Sequence, residues 1–249
     1  MSVDPETAVR GPCVVPVHRV VERLCESPNV CDQRKSRDVG RLQALADGPW
    51  SDRVVLMGID CGRQWSLDLV VQLDVAGLAW RGRAEPHRPW TMLVAVPHNY
   101  PMAMPAVRFV GSVVPYCPHV IHREFLPDEA GLPVELRQFV EAVRAGRDGA
   151  CCYLRGAQWS PLTTHDLAMV VWQVGRILTG TRLFGEQGSL NNHARDHYQR
   201  LQDEGHLPLG PGLPAPWSAS DDGRTGPDGS NPASELDDVD DAIEWTHES

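Results

Sequence analysis

Tyr100-Pro101-Met102-Ala103-Met104-Pro105, running directly into Ala106-Val107-Arg108-Phe109-Val110, is the stretch that decides how this 249-residue chain folds. Pro101 and Pro105 fix their own backbone angles and offer no N–H to a sheet ladder, so the first six residues read as a rigid turn. On either side lie strand-forming residues, Trp90 to Val96 before the turn and Ala106 to Val110 after it. Upstream, Arg53 to Ile59 and Ser66 to Val75 have the same Val-, Leu- and Trp-rich character, bounded by Gly, Pro or Asp. Four such runs in succession predict a four-stranded antiparallel meander.

Helical spacing occupies the flanks. Val17, Val20, Val21 and Leu24 predict a short helix inside an N-terminal extension, residues 1–32. Val39, Leu42 and Leu45 predict an N-terminal helix of the main domain, stopped by Gly48-Pro49. Leu167, Val170, Val171, Val174, Ile177 and Leu178 predict a long core helix that Thr163 caps, with Asp166 as its capping-box partner and Gly180 as its end. Leu190-Asn191-Asn192-His193-Ala194 and Tyr198 open a further C-terminal helix. A meander packed on a long helix is an α+β layer pair, placed here in residues 33–202. Within it, Pro133 followed by Leu136, Phe139, Val140 and Val143 predicts an amphipathic helix inside an insertion at 123–148, either a surface decoration or a lid or docking surface.

Charge separates the last segment. Residues 203–249 carry 12 acidic groups and one basic group, Arg224, so the whole of the chain's net charge of −10 arises there and the rest, at about +1, is close to neutral. This segment is Gly-, Pro- and Ser-rich without periodicity, which predicts a disordered acidic tail. A near-neutral body with a negative tail argues against nucleic acid as a partner. No run of 18 apolar residues and no charged-then-hydrophobic N-terminal stretch occurs, so neither a membrane partner nor a signal peptide is expected, and the expected compartment is the cytoplasm. Seven irregularly spaced cysteines do not form a secreted disulfide framework. Cys13, His18, Cys25 and Cys31 match no zinc spacing, and no metal or cofactor is expected.

Two further motifs follow the proline turn in order: Tyr116-Cys117-Pro118-His119-Val120, then Gly149-Ala150-Cys151-Cys152-Tyr153 leading to Trp159-Ser160-Pro161. The ordered combination resembles the catalytic core of the ubiquitin-conjugating enzymes over roughly residues 33–200. That resemblance implies a UBC-like fold and a cysteine that carries a ubiquitin-like modifier as a thioester. Counting from Gly149, as in the family's Gly-x-x-Cys, selects Cys152; counting back from Trp159 selects Cys151 as the alternative. Sulfur is both a strong nucleophile and a good leaving group, as thioester transfer requires.

Cys117, Pro118 and His119 stand where the family has His-Pro-Asn. His119 is either an N–H donor to the oxyanion or a core histidine that fixes the loop. Pro118, Trp159 and Asn191 are expected to support the active-site loop, while Met102, Pro161 and Leu162 match the partner-binding loops. The family's acidic gate is absent, because its positions hold Gly188 and Ser189, with Glu186 nearby. Implied partners are a ubiquitin-like modifier, an activating enzyme, a protein target and, from the likeness to bacterial relatives, a deconjugating protease encoded nearby. In the tail, Leu236, Val239, Ile243 and Trp245 interleave with acids, a make-up suited to a motif that folds on binding. The single lysine, Lys35, against 22 arginines fits either G+C-rich codon bias or avoidance of self-modification. Two alternatives stay open: a catalytically inactive UBC-variant or RWD-like binding module, and a cysteine hydrolase pairing Cys152 with His119 or His122.

Overall fold

In each of the four expected strands alternate residues are buried, and this alternation lays one side of a sheet against helices. The structure, a computed structural model, describes residues 13–60, 67–125, 148–154, 159–160, 165–182 and 190–217. The fold is mixed α+β, with an antiparallel sheet. The four expected strands are β2 (Val54–Asp60), β3 (Leu67–Leu73), β6 (Trp90–Val96) and β7 (Ala106–Phe109). Register is continuous across them: Leu56 pairs with Val71, Val71 with Met92 and Met92 with Phe109, so all four lie on one face and all are buried.

Among the described residues the sheet has six strands rather than four, in the order β1-β2-β3-β6-β7-β8. β1 (Cys13–Val15) adds to β2, and β8 (Ala150–Cys151) adds to β7. A separate hairpin, β4 (Gly77–Trp80) with β5 (Ala84–His87), interrupts the meander between β3 and β6. Sequence periodicity gave no signal for these short strands.

Helix α1 (Val17–Cys25) buries Val17, Val20 and Leu24, and it presses so closely on β2 that a Cβ added at Gly58 would lie 2.5 Å from Val20 Cγ2. The expected extension therefore contributes both a strand and a helix to the body. Helix α2 (Val30–Asp47) begins three residues ahead of the expected domain boundary, where the Asn29 side chain accepts the Cys31 N–H. Helix α3 (Leu167–Thr179) is the expected core helix, and Gly180 ends it in the left-handed conformation. Its N-cap is Asp166, whose Oδ1 accepts the Met169 N–H at 2.8 Å while Oδ2 receives Arg41 of α2 at 2.6 Å. Thr163, the expected cap, lies outside the described residues.

Helix α4 (Asn192–Asp203) is capped by Asn191, whose Oδ1 accepts the Ala194 N–H. Beyond it the chain differs from the expected tail, because the compact unit continues to Pro216. Trp50 and Trp172 donate their indole N–H groups to the carbonyls of Pro214 and Leu213, and Arg53 donates to Gly212. Leu209 N–H bonds the Thr179 carbonyl, and Leu213 is buried. The stretch 126–147, with its expected helix at Leu136 to Val143, lies outside the described residues, as do Leu236 to Trp245. No helix among the described residues is long and apolar enough to cross a membrane.

Candidate active site

β8 is only two residues long, and backbone pairing on both sides fixes it. On one side Val107 of β7 pairs with Cys151 and Arg108 with Ala150, and the Phe109 N–H donates to the Gly149 carbonyl at 2.8 Å. On the other side Val120 bridges to Cys151, the Ile121 N–H donates to Ala150 at 2.9 Å, and the Cys152 N–H donates to the His119 carbonyl at 2.9 Å. The Cys-Pro-His motif thus lies against the cysteine pair although more than 30 residues separate them in sequence. Gly149 makes the entry possible: its φ is +85°, and a Cβ there would sit 2.6 Å from the Phe109 carbonyl oxygen.

The third motif joins through one acceptor. Leu190 and Asn191 both donate their backbone N–H groups to the Pro118 carbonyl, at 2.7 and 3.1 Å. Pro118, His119 and Asn191 are all buried, and His119 is 0% exposed. Two residues before Pro118, Tyr116 closes the same corner, its hydroxyl lying 2.7 Å from His193 Nδ1 and 3.0 Å from the His193 carbonyl. Burial pushes the Tyr116 phenol up to about 12, so it stays protonated as a donor at neutral pH.

Cys151 and Cys152 are both partly exposed as residues. Burial pushes the Cys151 thiol well above the ordinary range, and the neighbouring Cys117 and Cys152 sulfurs add to the effect. Cys117 is itself buried, with a thiol pushed up to about 12 mainly by burial. A thiol so raised is inert at neutral pH. Cys152 is partly exposed at the end of the strand, its Sγ 3.8 Å from the Leu154 carbonyl.

Two aromatic residues flanking the cysteines reach back to the proline turn. The Tyr153 hydroxyl donates to the Pro105 carbonyl at 2.6 Å, and the Trp159 indole N–H donates to the Pro101 carbonyl at 2.7 Å. Trp159 also stacks on His165, whose Nδ1 accepts the Ser160 N–H at 2.8 Å. On the far side of the turn, the Tyr100 hydroxyl donates to Asp38 of α2, and Arg34 Nε bonds the same carboxylate oxygen at 2.6 Å. Tyr100, Tyr116, Tyr153 and His193 stand in the quoted motifs, yet their hydrogen-bond partners had no sequence signature, and Asp38 was missed for the same reason.

Met102 does not join the cysteine cluster. It is 70% exposed and lines a groove of about 540 Å³ with Val30, Cys31, Gln33, Arg34, Arg37 and Pro101. Val30, 76% exposed, makes the opposite apolar contribution to this groove. Pro161, Leu162, Gly188, Ser189 and Trp245 lie outside the described residues. No group of three His, Cys, Asp or Glu side chains able to hold a metal ion occurs among the described residues.

No protein-family model matches this chain, and none of the curated proteins matches it either.

Proposed function

We propose that the chain has a UBC-like fold and acts as a conjugating enzyme for a ubiquitin-like modifier, with Cys152 as the thioester carrier. In the first step the Cys152 thiolate attacks the acyl carbon of the modifier's thioester on an activating enzyme; one C–S bond forms, the other breaks, and the activating enzyme's thiolate leaves. In the second step an amine of a protein target attacks the new thioester, a C–N bond replaces the C–S bond, and the amine's proton passes to solvent or to a base. The observation that carries this reading is the convergence of separate motifs on one corner: Cys152 N–H on the His119 carbonyl, and Leu190 and Asn191 N–H on the Pro118 carbonyl. His119 is given the part of the family's asparagine, supporting the oxyanion loop.

The groove holding Val30, Met102, Arg34 and Arg37 is apolar with a basic margin, which suits an acidic surface of the activating enzyme. A deconjugating protease encoded nearby and a cytoplasmic location belong to the same reading. A second reading, an inactive UBC-variant binding module, is favoured by one contact: the Cys152 Sγ is turned toward the Leu154 carbonyl. The test is incubation with the cognate activating enzyme, modifier and ATP. A reductant-sensitive adduct that Cys152→Ala abolishes and Cys151→Ala weakens only mildly is the expected result. An adduct that survives the double substitution overturns the catalytic reading, and the absence of any adduct favours the binding module.

A further inference from the structure

Lys35 is the chain's single lysine, and it stands in the second turn of α2 with 0% of its surface exposed. Its Nζ donates to Asp32 Oδ1 at 2.9 Å and to the His98 carbonyl at 3.1 Å. Asp32 is equally enclosed, and its other oxygen accepts the Ser27 hydroxyl at 2.8 Å. The partners come from three places: the link between α1 and α2, the first turn of α2, and the loop that leads into Tyr100-Pro101. In an arginine-dominated chain the survival of a lysine here has a physical reason. A compact ammonium fits between one carboxylate oxygen and one carbonyl, whereas a planar guanidinium is larger and has a fixed fork of donors.

Aminolysis of a thioester needs the opposite of this setting. The amine must have a free lone pair and must come within bonding distance of an acyl carbon attached to two macromolecules. Withdrawing Lys35 from Asp32 would leave an unpaired charge buried beneath α2, which the fold strongly disfavours. The 22 arginines remain charged and are not acceptors. We propose, resting on the conjugation reading, that no lysine of this chain can receive the modifier: Lys35 is a structural ion-pair partner, and every lysine amine that discharges Cys152 comes from another molecule. The carrier is then spared lysine self-modification while it waits for its acceptor.

Two measurements test this. In the first, an amine-acylating reagent is applied to the full chain in buffer and in urea, and Lys35 is followed by peptide mass. Labelling in buffer should be slower by roughly 100-fold or more, limited by local opening of α2; labelling at the rate seen in urea overturns the proposal whether or not the chain conjugates anything. In the second, the chain is held with activating enzyme, modifier and ATP, then reduced. The expected result is no isopeptide on Lys35, together with a reductant-resistant self-adduct on an Arg108→Lys variant, whose new amine stands on β7 directly opposite Ala150 and is exposed. An isopeptide on Lys35 overturns the proposal. Failure of every variant to form a thioester counts instead against the conjugation reading, and leaves the labelling result to decide the status of Lys35.

Discussion

The two edges of the sheet are finished by different means. At the β1 edge a three-residue strand is backed by the apolar face of a helix, with Val20 seated on Gly58. At the β8 edge closure is by hydrogen bonds: backbone pairing to residues 119–121, and the Tyr153 and Trp159 side chains tied to the carbonyls of Pro105 and Pro101. Apolar packing is non-directional and tolerates small slips, whereas hydrogen bonds fix distance and angle. The first edge therefore serves stability and the second serves placement of the cysteines. Substitutions should separate the two.

The largest effect is expected at His119. His119→Ala should slow transfer from Cys152 by up to about 10²-fold, the loss typical when an oxyanion donor on the loop it supports is displaced, with loading less affected and His119→Asn recovering part of the rate. Single-turnover loading and discharge read this directly; equal losses in both, with a lower Tm, would make His119 a packing residue and the β8 edge less distinct from the β1 edge. Gly58→Ala comes next. Its new Cβ must displace Val20, at a cost of about 1–3 kcal/mol for overpacking, and denaturant unfolding should show this while loading per folded molecule stays unchanged. Tyr153→Phe is the reverse case. Losing the bond to Pro105 should cost about 1 kcal/mol in stability yet slow loading out of proportion, since the strand carrying Cys152 loses its anchor.

The smallest effect is a pH dependence at the β8 edge. Burial holds the His165 imidazole below its ordinary value of 6.5, and its Nδ1 accepts the Ser160 N–H, which only the unprotonated nitrogen can do. Because the folded value lies below the unfolded one, this contribution is fully present above about 6.5 and is lost as pH falls through the folded value. Thermal melts below that pH should show a declining Tm. His165→Gln should remove part of the slope, the remainder belonging to His87, His122 and His197, all lowered chiefly by burial.

What could be read in advance follows the same division. β2, β3, β6 and α3 declare themselves because burial on one face imposes a period of two or of 3.6 on the side chains. β1 and β8 are too short to show a period, and β5 contains Pro86, which suppresses a strand reading. The order of the cysteine motifs, which the structure brings side by side, was legible. The tethers that position them were not. Tyr153, Trp159, Trp50, Arg53 and Trp172 all donate to backbone carbonyls, and a carbonyl is present at every residue, so nothing in the acceptor's identity marks it in sequence. The same reason made residues 204–216 read as unstructured.

That last segment has an evolutionary consequence. Its hold on the body is asymmetric: the indoles of Trp50 and Trp172 and the guanidinium of Arg53 supply specific donors, and the segment replies with main-chain oxygens at Gly212, Leu213 and Pro214. Apart from Leu213, which is buried for its own side chain, those positions can exchange residues without breaking a bond, provided that the backbone path is kept. Mutational drift should therefore accumulate in the strap, while the three donors on α3 and beside β2 are held under selection by a partner whose sequence is free to change.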